Sequence, residues 1–158
     1  MFVNAIRHVA EFTRPILFLT RYYGSKEIRP GLATLFFVNA DGWALTCRHV
    51  LNEIVAEQPI ANRRAAFEND LATVKGKVSH GLRKKIEVKH GLNSSQAFEH
   101  KVEFGFATSG QVTFSWQLHP TCDVALIRFH NFTDAWCGTF PTFASNGTDL
   151  QPGKTNRM

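Results

Sequence analysis

The chain has 158 residues, 44% of them hydrophobic and 12% aromatic with 14 Phe, and a formal net charge of +5. That length and apolar content exclude a disordered chain; they suit one domain with a sizeable core and are short for two packed barrels. Three cysteines, Cys47, Cys122 and Cys137, are too few and odd in number for a disulfide framework and point to reduced thiols.

At the N-terminus, Arg7, Glu11 and Arg14 interrupt any signal-peptide pattern, and the apolar run Ile16-Leu17-Phe18-Leu19 is too short to span a membrane. The expectation is a cytoplasmic protein without membrane association, in which the sequons at Asn93, Asn131 and Asn146 carry little meaning. Ile16 to Tyr23 is rich enough in aliphatic and aromatic residues for a first strand, ended by Gly24-Ser25-Lys26. Pro30-Gly31 is a turn signal, and a strand from Ala33 should return antiparallel beside the first.

The central stretch runs from Leu32 to Glu53. Ala33 to Asn39 is an apolar run, Ala40-Asp41-Gly42 a tight turn, and Trp43 to Thr46 a second strand. The period then changes: Val50, Leu51, Ile54 and Val55 fall at helical spacing, which places His49 in the first turn of a short helix at the strand's end. A single His near a helix start is commonly structural, so this imidazole takes on meaning only with a partner.

Ala61 to Lys77 has helix-forming composition, with Phe67, Leu71 and Val74 on one face that reads as a packing stripe. Lys75 to Lys101 holds seven Lys or Arg against Glu87 and Glu99. With no zinc-ligand spacing, ribonucleoprotein-type aromatic pattern or recognition helix, it reads as a solvated basic face, and nucleic-acid binding is not expected. Lys101 to Ala107 and Gln111 to Leu118 read as a hairpin through Thr108-Ser109-Gly110, with Phe104, Phe106, Phe114 and Trp116 on a core-facing side. His119-Pro120-Thr121-Cys122 leads into a strand from Asp123 to Phe129, whose leading carboxylate calls for a hydrogen-bonding partner. Trp136 to Phe143 is a weaker strand candidate, and Asp149 to Lys154 looks like the end of a lobe. Cys47 and Cys122 flank the His and the Asp; a thiol role is open, but small buried hydrophobes are the simpler reading.

Two segments, FFVNADGWALTCRHVL around His49 and DVALIRF from Asp123, resemble the chymotrypsin-like (trypsin-like) serine peptidases, in the order that family uses. The resemblance implies that His49 is a general base, Asp123 the carboxylate that orients it, and the reaction acyl transfer from a peptide to a Ser. It also departs from the family. Ala33-Thr34-Leu35 stands where small glycines are usual, Val50 where many secreted members have a bridged Cys, and nothing like Gly-Asp-Ser-Gly-Gly lies between Asp123 and Met158. Ser109-Gly110 and Ser145-Asn146-Gly147 lack the glycines of an oxyanion hole.

The resulting expectation is all-β: residues 1–158 as a single Greek-key β-barrel lobe of trypsin-like type, with a short His-bearing helix and a partly helical insertion within 61–92. Functionally it would be the N-terminal half of a serine peptidase, carrying His49 and Asp123 but not the nucleophile, and so inactive alone. The alternative is a non-catalytic peptide- or protein-interaction module. Expected partners are a peptide or protein substrate and a second lobe or another copy of the chain; no cofactor or metal is expected.

Overall fold

The computed structural model describes residues 2–107 and 111–143. In chain order, α1 spans Phe2–Phe12, β1 Thr13–Tyr22, β2 Ile28–Phe37, β3 Trp43–Thr46, α2 Arg48–Ala72, α3 His80–Lys89, β4 Ala97–Phe104, β5 Phe114–Leu118 and β6 Ala125–Phe129. The six strands form one antiparallel sheet in the order β4-β1-β2-β3-β6-β5.

That sheet curls. β4 and β5 lie at its opposite ends, yet the Phe104 ring is 6.2 Å from Phe114 and 5.6 Å from Phe129, and Phe106 is 5.5 Å from Phe129. Strand twist brings the ends together around an aromatic filling, because paired residues share a face and every second side chain turns inward. Ile16, Leu35, Phe37, Ala44, Ala125, Ile127 and Phe129 are all essentially buried there. A mostly β, curled antiparallel half-barrel is therefore present, compatible with a β-barrel lobe, with more helix than expected.

The turn at Ala40-Asp41-Gly42 forms as expected. Asn39 Oδ1 accepts from the Asp41 and Trp43 amides, and the Val38 amide donates to Trp43 O at 2.8 Å. Gly42 has φ of +78°, and a Cβ there would stand 2.6 Å from Phe129 O, so only glycine fits the close passage of β6.

Several expectations need correction. Pro30-Gly31 is not a turn: both residues lie within β2, where Pro30 pairs with Leu19. Because β3 pairs with β2 only at Phe36 and Phe37, this half of β2 is an edge, where a missing N–H is tolerated. The short His-bearing helix and the Ala61 to Lys77 helix are one 25-residue helix that carries Pro59 in its interior. Its first half puts Val50, Leu51 and Ile54 into the barrel core, and its second puts Phe67 into a separate cluster with Ile86 and Leu92. Helix α3, capped by Ser79 Oγ accepting from the Leu82 amide, completes that cluster within the expected insertion. Helix α1 was not anticipated; it exposes Val3, Ile6 and Val9 and buries Phe12.

The proposed hairpin turn at Thr108-Ser109-Gly110 lies outside the described residues, as do Ser145-Asn146-Gly147 and Asp149 to Lys154. Among the described residues, β4 and β5 are not ladder partners. Instead Asn131 Oδ1 accepts from the Thr113 amide, its Nδ2 donates to Gln111 O, and the His130 amide donates to Thr113 O. Phe114 lies against the core and Phe106 is buried, as expected, but Trp116 is 46% exposed because β5 is the open end of the sheet. Trp136 to Phe143 is not a strand; Trp136 and Cys137 nevertheless close the core from a run of turns.

Candidate functional site

The site forms where β3 hands over to α2. Strand β3 ends at Thr46, whose buried hydroxyl donates to Thr34 O at 2.9 Å and ties the junction to β2. Cys47 then caps the helix with an extended backbone (φ −79°, ψ 150°) but without a side-chain hydrogen bond to the first turn. The early amides of a helix have no partner within it, and they attract an acceptor from elsewhere. Asp123 is that acceptor.

Its carboxylate takes two bonds from one residue: Oδ1 accepts from the His49 amide at 3.1 Å, and Oδ2 from His49 Nδ1 at 2.7 Å. The His49 side chain, the His49 amide and the Arg48 amide all favour the charged form, and together they hold the Asp123 carboxyl below the usual carboxylate range. Since a carboxylate can only accept, Nδ1 carries the proton, and the lone pair of Nε2 is left for a proton on the other side of the ring.

The loop that presents Asp123 is organised by His119, which had no expected role. Its Nδ1 accepts from the amides of Thr121 and Cys122 at 3.3 and 3.0 Å, its own amide donates to Val124 O at 2.9 Å, and its carbonyl accepts from Arg48 Nη2. Arg48 thus braces the Asp123 loop against the helix that carries His49. The one sequence signal for this brace was the His-Pro pair ahead of a strand.

The two expected site residues are therefore brought together across 74 positions. They are not buried, however: His49 is 71% and Asp123 56% exposed. Asp123 precedes β6 instead of opening it, so no apolar strand environment encloses the carboxylate. Leu35, one of the departures from the resembling family's small glycines, is 1% exposed and turned into the barrel core, so its bulk does not crowd the site. Cys47 and Cys122 are exposed, contrary to the reading of small buried hydrophobes, which holds for Cys137 alone. They stay outside the core because Cys47 occupies a cap and Cys122 a surface loop.

Among the described residues, no helix is long and apolar enough to cross a membrane. A scan of the sequence against protein-family models finds no matching model, and a comparison with curated proteins finds no match.

Proposed function

We propose that this chain is the His- and Asp-bearing lobe of a trypsin-like serine peptidase, with a Greek-key barrel of that family's type and with the nucleophilic Ser supplied from outside these residues. The observation that carries the reading is the 2.7 Å bond from His49 Nδ1 to Asp123 Oδ2, made by residues from the two segments that resemble the family. In such a site Asp123 fixes the tautomer, Nε2 takes the proton of the attacking Ser and later gives it to the leaving amine. The exposure of the pair fits a site completed by another body, which would exclude water and strengthen the pair's electrostatics. Trp116, Leu118 and Val124 are partly exposed apolar residues in the same region, β5 and the start of β6, and suit such a contact. The substrate class is a peptide or protein, and a cytoplasmic location belongs to the same proposal.

The second reading is an interaction module that keeps the fold without the chemistry. It draws on the absence of a Gly-Asp-Ser-Gly-Gly segment from the sequence. Treatment of the 158-residue chain with a serine-directed phosphonate separates the proposal from a self-sufficient enzyme. The proposal expects no covalent label, since neither nucleophile nor oxyanion donors are supplied. A label on any Ser of these 158 residues that disappears in His49→Ala would overturn it.

A further inference from the structure

Among the described residues, Cys47, His49 and Asp123 bring a sulfur, a ring nitrogen and a carboxylate oxygen within 4.8 Å of one another, all three residues exposed. We propose that this trio is a binding site for a divalent metal of the zinc class, with a fourth position open to water. A thiolate, an imidazole and a carboxylate form a donor set that suits zinc and excludes magnesium and calcium, which take oxygen ligands. The two anionic ligands neutralise the ion's charge, so a dication can sit beside the positive end of α2 without a net electrostatic penalty.

The scaffold holds these ligands in place. Cys47 and His49 sit two residues apart on the rigid junction between β3 and α2. Asp123 is oriented by the His49 amide on Oδ1, which leaves Oδ2 for the ion, the kind of outer hydrogen bond that supports metal ligands. Ligand atoms around a tetrahedral ion with bonds of about 2.0–2.1 Å lie roughly 3.3 Å apart. The 2.7 Å contact between His49 Nδ1 and Asp123 Oδ2 must therefore open by about 0.6 Å, within reach of two exposed side chains. Arg48, the nearest cation in sequence, is engaged at its Nη2 by His119 O.

This inference stands independently of the peptidase reading, because it needs no nucleophile and no second lobe. If both hold, the ion replaces the His49 Nδ1 proton and releases it to solvent, the bond by which Asp123 orients the ring is lost, and the metal is an inhibitor.

The test is titration of the chelator-treated 158-residue chain with cobalt(II), followed by displacement with zinc. The expected result is one equivalent bound, with a thiolate-to-cobalt charge-transfer band. Cys47→Ser should abolish the band and weaken zinc binding by more than about tenfold. Cys122→Ser, which alters the exposed thiol next to Asp123, should change neither. Cys47→Ser keeps the fold, since the thiol is exposed and Ser is a good helix cap; far-UV circular dichroism checks this. Absence of the band in the wild-type chain, or a band that survives Cys47→Ser, overturns the proposal.

Discussion

Among the described residues, two His–Asp pairs have nearly the same separation, and they differ in almost everything else. His49 Nδ1 meets Asp123 Oδ2 at 2.7 Å, and His90 Nε2 meets Asp70 Oδ2 at 2.8 Å. The first pair is largely exposed, whereas the His90 side chain is only 13% exposed and has the Phe67 ring at 6.0 Å, edge-on. Asp70 is also shared with Lys89 at 2.7 Å, so its charge is already committed to an ion pair that closes α3 onto α2. A short His–carboxylate bond is therefore no mark of catalysis; what distinguishes His49 is a second nitrogen open to an incoming group and a carboxylate that answers to it and the start of its helix alone.

Breaking each pair should have opposite consequences. On the proposed reading, once the lobe that supplies the Ser is joined to this chain, Asp123→Asn should lower kcat by about 10⁴-fold, since the amide favours the wrong imidazole tautomer. Asp70→Asn should leave kcat unchanged. Steady-state hydrolysis of a peptide substrate by the two variants decides the matter.

Stability should show the reverse. Phe67→Ala removes a 2% exposed ring that packs on Tyr23, Phe98 and His90, and should cost about 3–5 kcal/mol in urea unfolding. His49→Ala should change stability by no more than about 0.5 kcal/mol, as expected of an exposed side chain.

Acid should loosen the second region. Lys89 and His90 hold the Asp70 carboxyl below its ordinary range, as do Tyr23 and Arg83 for Glu87, and Arg21 and Arg64 for Glu99. Groups whose folded value is depressed contribute stability that is complete above the unfolded carboxylate range and is lost as pH falls through the folded value. Amide protection in α3, taken relative to the intrinsic exchange rate at each pH, should thus fall below about pH 4. Asp123 follows the same sign, but its exposed pair ties only a surface loop, so α3 should respond before the barrel strands do.

The two pairs also differ in how far they could be read from the sequence. The site was legible because its parts are local patterns: an Asp-Gly turn between apolar runs, a change from strand to helix period at His49, and a carboxylate ahead of Ala125-Leu126-Ile127-Arg128-Phe129. The family resemblance joined them across the 74 positions between. The second pair was not legible: Asp70 falls in the helix expected from Ala61, but the basic segment after it reads as a solvated face, so α3 and His90 at its end had no expected place against that helix. Local propensity also reads Pro59 as a break, a preference that burial of the helix face at Phe67 outweighs. Pro30-Gly31 misled for a related reason, as its dipeptide signals a turn while pairing with Phe18 and Leu19 keeps it in β2. The exposure of Cys47, Cys122 and Trp116 depends on where the sheet ends, which residue type alone does not encode.

The central claim, that His49 and Asp123 serve a Ser outside these residues, meets its most direct test in active-site labelling. The protein is made from its whole natural transcript, treated with a serine-directed phosphonate and mapped by mass spectrometry. The account predicts a single labelled Ser beyond residue 158, lost in His49→Ala and retained in His90→Ala. A label within residues 1–158, or no label on a folded protein that contains everything the transcript encodes, would contradict it.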